Sequence, residues 1–170
     1  MIKYLPDTVS VVFEEIPDKV TLMIELSRCQ NRCKGCHSPW LQTDMGEELT
    51  KETLKEIIER NKGVNCVLFS GEGDDHAGLV ELAKYVHELD PGLKVGVYSG
   101  REDLGEDFEA YTTTFDYIKI GPYIEEFGPL NKETTNQRLF EKTSENICRR
   151  IGNTMAFYWN DITSKFWRKL

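Results

Sequence analysis

No stretch of this chain approaches the roughly 18 consecutive apolar residues of a membrane span, and no apolar signal-like segment opens it. Both absences lead us to expect a cytoplasmic protein and to exclude a spanning one. Base is scarcer than acid: 21 Lys and Arg stand against 29 Asp and Glu, a formal net charge of −8. With no basic stripe, this balance argues against a nucleic-acid binder. Five cysteines are an odd number, a poor basis for a disulfide framework. No second C-x2-C and no H-x3-H follows residue 36, so the two ligand pairs of a structural zinc site are missing. Internal repeats and low-complexity linkers are absent too, which leaves one domain over residues 1–170.

What is present is concentrated in one loop. Cys29, Cys33 and Cys36 form a C-x3-C-x2-C run. Three thiolates so spaced can hold three irons of a cuboidal iron–sulfur cluster, which normally takes four cysteines. Cys66 and Cys148 lie far off in sequence. One iron is therefore expected to stay open for a substrate. The competing readings are an electron-transfer cluster with a distant fourth ligand, structural zinc, and incidental cysteines.

The flanking pattern points to a parallel α/β fold. Residues 21–26 alternate and are rich in strand formers, so the cysteine loop leaves the end of a strand. Apolar runs over 64–69, 94–98 and 115–120 end at Ser70-Gly71, Ser99-Gly100 and Gly121. Glycine past a strand permits close backbone approach to a ligand, and ligands of parallel α/β folds sit at those carboxyl ends. Between the runs, Thr50 caps a helix carrying Leu54, Ile57 and Ile58 and stopping at Gly63. A second helix shows the stripe Leu79, Leu82, Ala83, Val86, Leu89 before Asp90-Pro91-Gly92. Alternating strand and helix predict parallel βαβ units. A full eight-unit barrel takes about 250 residues, so a partial, open (β/α) barrel is expected.

C-x3-C-x2-C after a strand resembles the signature of the radical S-adenosylmethionine superfamily. The resemblance implies a [4Fe–4S] cluster with one open iron that chelates S-adenosyl-L-methionine, and reductive cleavage to a 5′-deoxyadenosyl radical. Further segments are similar to the small glycyl-radical activases, closest to the activating protein of anaerobic (class III) ribonucleoside-triphosphate reductase. They are Cys36-His37-Ser38-Pro39-Trp40, Phe69-Ser70-Gly71-Glu72-Gly73-Asp74, residues 116–123 ending in Gly121-Pro122-Tyr123, and Thr135-Asn136-Gln137-Arg138. Two positions depart from the wider superfamily: Gly35 replaces an aromatic residue before the third cysteine, and Gly71-Glu72-Gly73 interrupts a pair of adjacent glycines.

The resemblance implies these roles. Cys29, Cys33 and Cys36 ligate the cluster; His37, Ser70, Gly71, Glu72, Gly73, Ser99 and Gly100 contact the cofactor. For His37 a hydrogen-bonded loop residue is the alternative, and for the serine–glycine positions simple turn geometry. The implied substrate is the large subunit of the anaerobic reductase, with a flavodoxin or ferredoxin as electron donor. A small-molecule radical enzyme of the 7-carboxy-7-deazaguanine synthase type is the competing enzyme reading. Elsewhere, Cys66 reads as a small buried hydrophobe, Cys148 as a bystander on a helix, and His76 and His87 as surface or helix residues. Residues 1–20 read as a strand or hairpin covering a sheet edge, and 155–159 as a last strand. The basic, aromatic tail over 162–170 reads as helical, either packed on the domain or docking the reductase.

Overall fold

The computed structural model describes residues 1–167. In chain order the elements are β1 Lys3–Tyr4, β2 Ser10–Val12, β3 Thr21–Glu25, β4 Glu47–Glu48, α1 Lys51–Arg60, β5 Cys66–Ser70, α2 His76–Leu89, β6 Lys94–Tyr98, α3 Phe108–Thr114, β7 Tyr117–Ile120, β8 Arg138–Lys142, β9 Cys148–Ile151, β10 Thr154–Phe157 and β11 Trp159–Asp161. A seven-stranded sheet runs β11-β8-β7-β6-β5-β3-β2. Its middle, β3, β5, β6 and β7, is parallel; β2, β8 and β11 are antiparallel. The two edge strands do not pair with each other among the described residues, so the barrel is open as expected.

The alternation of side chains along each strand builds two apolar layers. Leu22, Ile24, Val67, Phe69, Val95, Val97 and Ile118 pack against Leu54, Ile57, Leu79, Leu82, Ala83 and Val86 of the helices. The other face carries Cys66, Leu68 and Tyr117 toward Ile16, Leu139 and Ile162 and forms the lumen of the half-barrel. Thr50 caps α1 by accepting from the Thr53 amide at 3.1 Å. Asp75 caps α2, accepting from the Gly78 amide at 2.9 Å. No helix is long and apolar enough to cross a membrane among the described residues.

Three expectations change. Cys148 lies in a strand, β9, whose hairpin with β10 is stabilised by backbone pairing that its own composition does not signal. Residues 154–161 form two strands rather than one, because Tyr158 adopts a left-handed φ of 65° and turns the chain from β10 into β11. Thr163–Trp167 is a 3-10 turn, with Phe166 packed on the lumen cluster and Trp167 Nε1 donating to the Leu130 carbonyl at 3.2 Å. The last three residues of the expected tail helix lie outside the described residues. At the other end, β2 does cover the β3 edge.

Candidate active site

The cysteine loop is pinned before its first cysteine. Leu26 N donates to Ser70 O at 2.9 Å, Ser27 N to Lys3 O at 3.1 Å, Arg28 N to Thr43 O at 3.0 Å and Cys29 N to Leu41 O at 2.8 Å. The loop then turns through left-handed residues at Arg28, Arg32 and Gly35. Gly35 faces the loop after β7, where Tyr123 and Glu125 approach it. Arg28 Nη2 bridges to Asp74 Oδ2 at 2.7 Å and so ties the cysteine loop to the loop after β5. Cys29, Cys33 and Cys36 are all half-buried. Two sulfurs face N–H donors: Asn31 Nδ2 lies 3.8 Å from Cys29 Sγ and Ser38 N 3.4 Å from Cys36 Sγ. Such contacts orient sulfur ligands and tune a metal cluster bound there.

The strand ends meet this loop through glycine. Gly71 and Gly73 have φ of 90° and 63°, and a Cβ on either would come to 3.2 Å from the Leu26 or Ser27 carbonyl. A Cβ on Gly100 would meet Asn31 Nδ2 at 2.8 Å, so the end of β6 also abuts the cysteine loop. The backbones of Gly71, Gly73 and Gly100 thus gather at one rim with the three cysteines.

The side chains of Glu72 and Ser99 are used differently. Glu72 is 2% exposed. Its Oε2 accepts from Ser99 Oγ at 2.6 Å and Arg101 Nε at 3.3 Å; its Oε1 accepts from Arg101 Nη2 at 2.7 Å and Tyr111 Oη at 2.8 Å. Arg101 continues to Asp107 Oδ2 at 2.9 Å, which also meets His76 Nδ1 at 2.7 Å. Burial works against the Arg101 charge, but Glu72 outweighs it and holds the guanidinium pKa above its ordinary value. Burial first, and then the Glu72 charge, push the Tyr111 phenol far up. These bonds lock the backbones of the β5 and β6 loops while leaving both side chains engaged within the protein. Arg101, Tyr111 and Asp107 were not legible as site residues: nothing in their spacing marks them.

His37 is exposed, and no hydrogen bond to its ring is found among the described residues. Gln137 Nε2 donates to Gly121 O at 3.3 Å and Asn136 Nδ2 to Pro122 O at 2.9 Å, placing that stretch against the end of β7. Asn136 Oδ1 is buried with no hydrogen-bond partner among the described residues. Cys66 starts β5, four residues below Ser70, about 13 Å from the rim. Burial foremost, then Asp116, push its thiol up to about 12. Cys148 sits in the β9–β10 hairpin, outside the seven-stranded sheet. Neither is brought to the cysteine loop.

A profile of the radical SAM superfamily matches residues 23–149. The chain belongs to this superfamily. Comparison with curated proteins and with solved structures gave no match. Members of the radical SAM superfamily are enzymes that typically carry a [4Fe–4S] cluster and S-adenosylmethionine. The residues here fit that pair of groups. Cys29, Cys33 and Cys36 on one pinned loop would hold such a cluster through their thiolates, and two of the sulfurs face N–H donors. Among the described residues no three His, Cys, Asp or Glu converge on one metal ion, a convergence that a cuboidal cluster, with its thiolates on separate irons, does not require. Gly71, Gly73 and Gly100 bring their backbones up against the cysteine loop, and Asn136 Oδ1, buried without a hydrogen-bond partner among the described residues, leaves a free acceptor near the end of β7.

Proposed function

We propose that this radical SAM enzyme is a glycyl-radical activating enzyme, and that its substrate is the large subunit of anaerobic ribonucleoside-triphosphate reductase. When bound, the cluster and S-adenosylmethionine supply a radical able to take a hydrogen atom from a Cα carbon. The protein's work is to hold Cys29, Cys33 and Cys36 on the pinned loop, to present the Gly71, Gly73 and Gly100 backbones to the cofactor, and to admit a partner's glycine. His37 at the edge of the loop flanks the cofactor in this reading. Ser70 and Ser99 end their strands there, and Glu72 contributes through its backbone.

The observation that carries the proposal is the open edge of the barrel. With β2 and β11 unpaired to each other among the described residues, the sheet is left open along one edge. Its bordering loops expose Trp40 and Phe127, each 44% accessible. An open, apolar-edged mouth suits an inserted polypeptide segment better than a small molecule, which gains from enclosure. The sequence similarities at residues 36–40, 116–123 and 135–138 point the same way. A flavodoxin or ferredoxin is the electron donor in this proposal.

The test is anaerobic. The cluster is reconstituted and reduced, S-adenosylmethionine is added, and 5′-deoxyadenosine is assayed with and without the reductase. A glycyl-radical EPR doublet on the reductase is expected. Cleavage without the doublet would transfer the assignment to a small-molecule substrate. An intact reduced cluster that cleaves nothing would make the protein an electron carrier.

A further inference from the structure

Lys119 belongs neither to the cysteine loop nor to the Glu72 network. It lies in β7 on the lumen face, two residues from Tyr117 of that face's cluster, and is 8% exposed. Its ammonium donates to Ser99 O at 3.2 Å and Gly121 O at 3.0 Å. It also stands 5.8 Å from the centre of the Tyr98 ring. Among the described residues no carboxylate forms an ion pair with it, and its hydrogen-bond partners are two neutral carbonyls. An ammonium has three donors, and a buried one is costly unless an anion offsets it.

The surroundings indicate where that anion belongs. The two carbonyls mark the carboxyl ends of β6 and β7, the rim on which the cysteine loop rests. From Ser99 O the next residue is Gly100, which abuts Asn31, whose Nδ2 reaches Cys29 Sγ. Burial draws the Lys119 pKa down to about 8, while Cys33, Glu72, Cys29 and Cys36 work in the opposite direction. Glu72 is already matched by Arg101 at 2.7 Å. What remains to balance Lys119 is the negative charge of the cysteine loop together with that of Glu15 in the lumen, whose carboxyl pKa is held above its ordinary value by burial while Lys119 works against that rise.

We propose that Lys119 is a charge-tuning residue whose buried ammonium stabilises the reduced cluster and so raises its reduction potential. The inference rests on the reading of Cys29, Cys33 and Cys36 as cluster ligands. One electron arrives from an external donor of the flavodoxin or ferredoxin class, the cluster gains one negative charge, and no bond of the protein forms or breaks. A fixed cation in a low-dielectric setting favours the more negative state, and local charge is one of the levers that set such potentials. Lysine at this strand position tunes the site rather than touching the reacting atoms.

The experiment compares wild type, K119M and K119R after anaerobic reconstitution, with iron and sulfide analysis followed by EPR-monitored redox titration. K119M is expected to hold the same iron but to be at least tenfold less readily reduced, about 59 mV per tenfold for one electron. K119R should return most of the way to wild type. If K119M does not fold, K119Q, which loses the charge and keeps a donor for the carbonyls, decides the matter. An unchanged potential in a fully loaded neutral variant overturns the proposal. An unchanged potential with weakened S-adenosylmethionine binding also overturns it, and assigns the cation to the cofactor's carboxylate. A wild-type chain that assembles no four-iron cluster overturns the ligand reading and the tuning role together, and iron analysis reveals it before any titration.

Discussion

Glu72 and Arg101 show how single side chains set the rim. The carboxylate is 3% exposed and the guanidinium 22%, so the pair is largely out of water. Removing Glu72 leaves Arg101 to Asp107, and removing Arg101 leaves the buried Glu72 charge to the Ser99 and Tyr111 hydroxyls. Glu72→Ala should lower stability by about 3–5 kcal/mol, measured by urea denaturation of the metal-free protein. The E72A/R101M double variant should lose less than the sum of the single losses, since both act in one network. A loss under about 1 kcal/mol for E72A would mean the network is dispensable. Cys66 gives a second, chemical prediction. Its folded thiol ionises at about 12 against an ordinary 9.0. Between those values the unfolded chain has lost a proton that the folded chain keeps, so this group's contribution to stability falls as pH rises through that window. At pH 8 an alkylating reagent should label Cys29, Cys33 and Cys36 of the metal-free protein and spare Cys66 until denaturant is added; mass mapping reads the result. The cysteine spacing was legible because it is local along the chain. The Glu72 network was not, because it joins residues 72, 99, 101 and 111 from separate segments.

At the scale of elements, a small ribbon braces the site. β1 pairs with β4, Tyr4 opposite Glu47, and the Lys3 and Met45 carbonyls accept from Ser27 just before the cysteine loop. Gly46 makes the ribbon possible: its φ is 78°, and a Cβ there would lie 2.0 Å from the Tyr4 carbonyl oxygen. Gly46→Ala should therefore cost about 1–3 kcal/mol and make the reconstituted cluster more easily lost to a chelator. A thermal melt and a timed iron release check both, and a variant matching wild type in each would remove the ribbon from the account. β1 falls inside the strand or hairpin read over residues 1–20, but β4 was not legible, since two residues are too few to show a period. α3 went unread for a related reason: it is seven residues with three threonines, poor helix formers, and its Tyr111 is held by tertiary bonds. α1 and α2 were legible because their caps and apolar stripes run over 10 and 14 residues.

For the molecule as a whole, the core and the site are separate. The helix-facing cluster is centred on β3, β5, β6 and β7 with α1 and α2, while the three cysteines stand half-buried on a loop beyond it. Removing a bound cluster should leave the fold in place: far-UV circular dichroism unchanged, and a melting temperature lowered by only a few degrees. Cooperative unfolding on chelation would instead show that the metal holds the fold together, as in small zinc domains.

Hydrophobic period, helix caps and cysteine spacing are properties of neighbours in the chain, and they determined the parallel half-barrel and the three cysteines on one loop beyond the carboxyl end of β3. Only the tertiary structure decided that β8 and β11 finish the sheet, because they exist through pairing with distant partners, and that β9 and β10 form a hairpin outside it. It also decided that Glu72 and Ser99 turn inward to Arg101 and that Lys119 stands buried beside the cysteine rim. A buried charge is defined by what surrounds it, and what surrounds it comes from elsewhere in the chain.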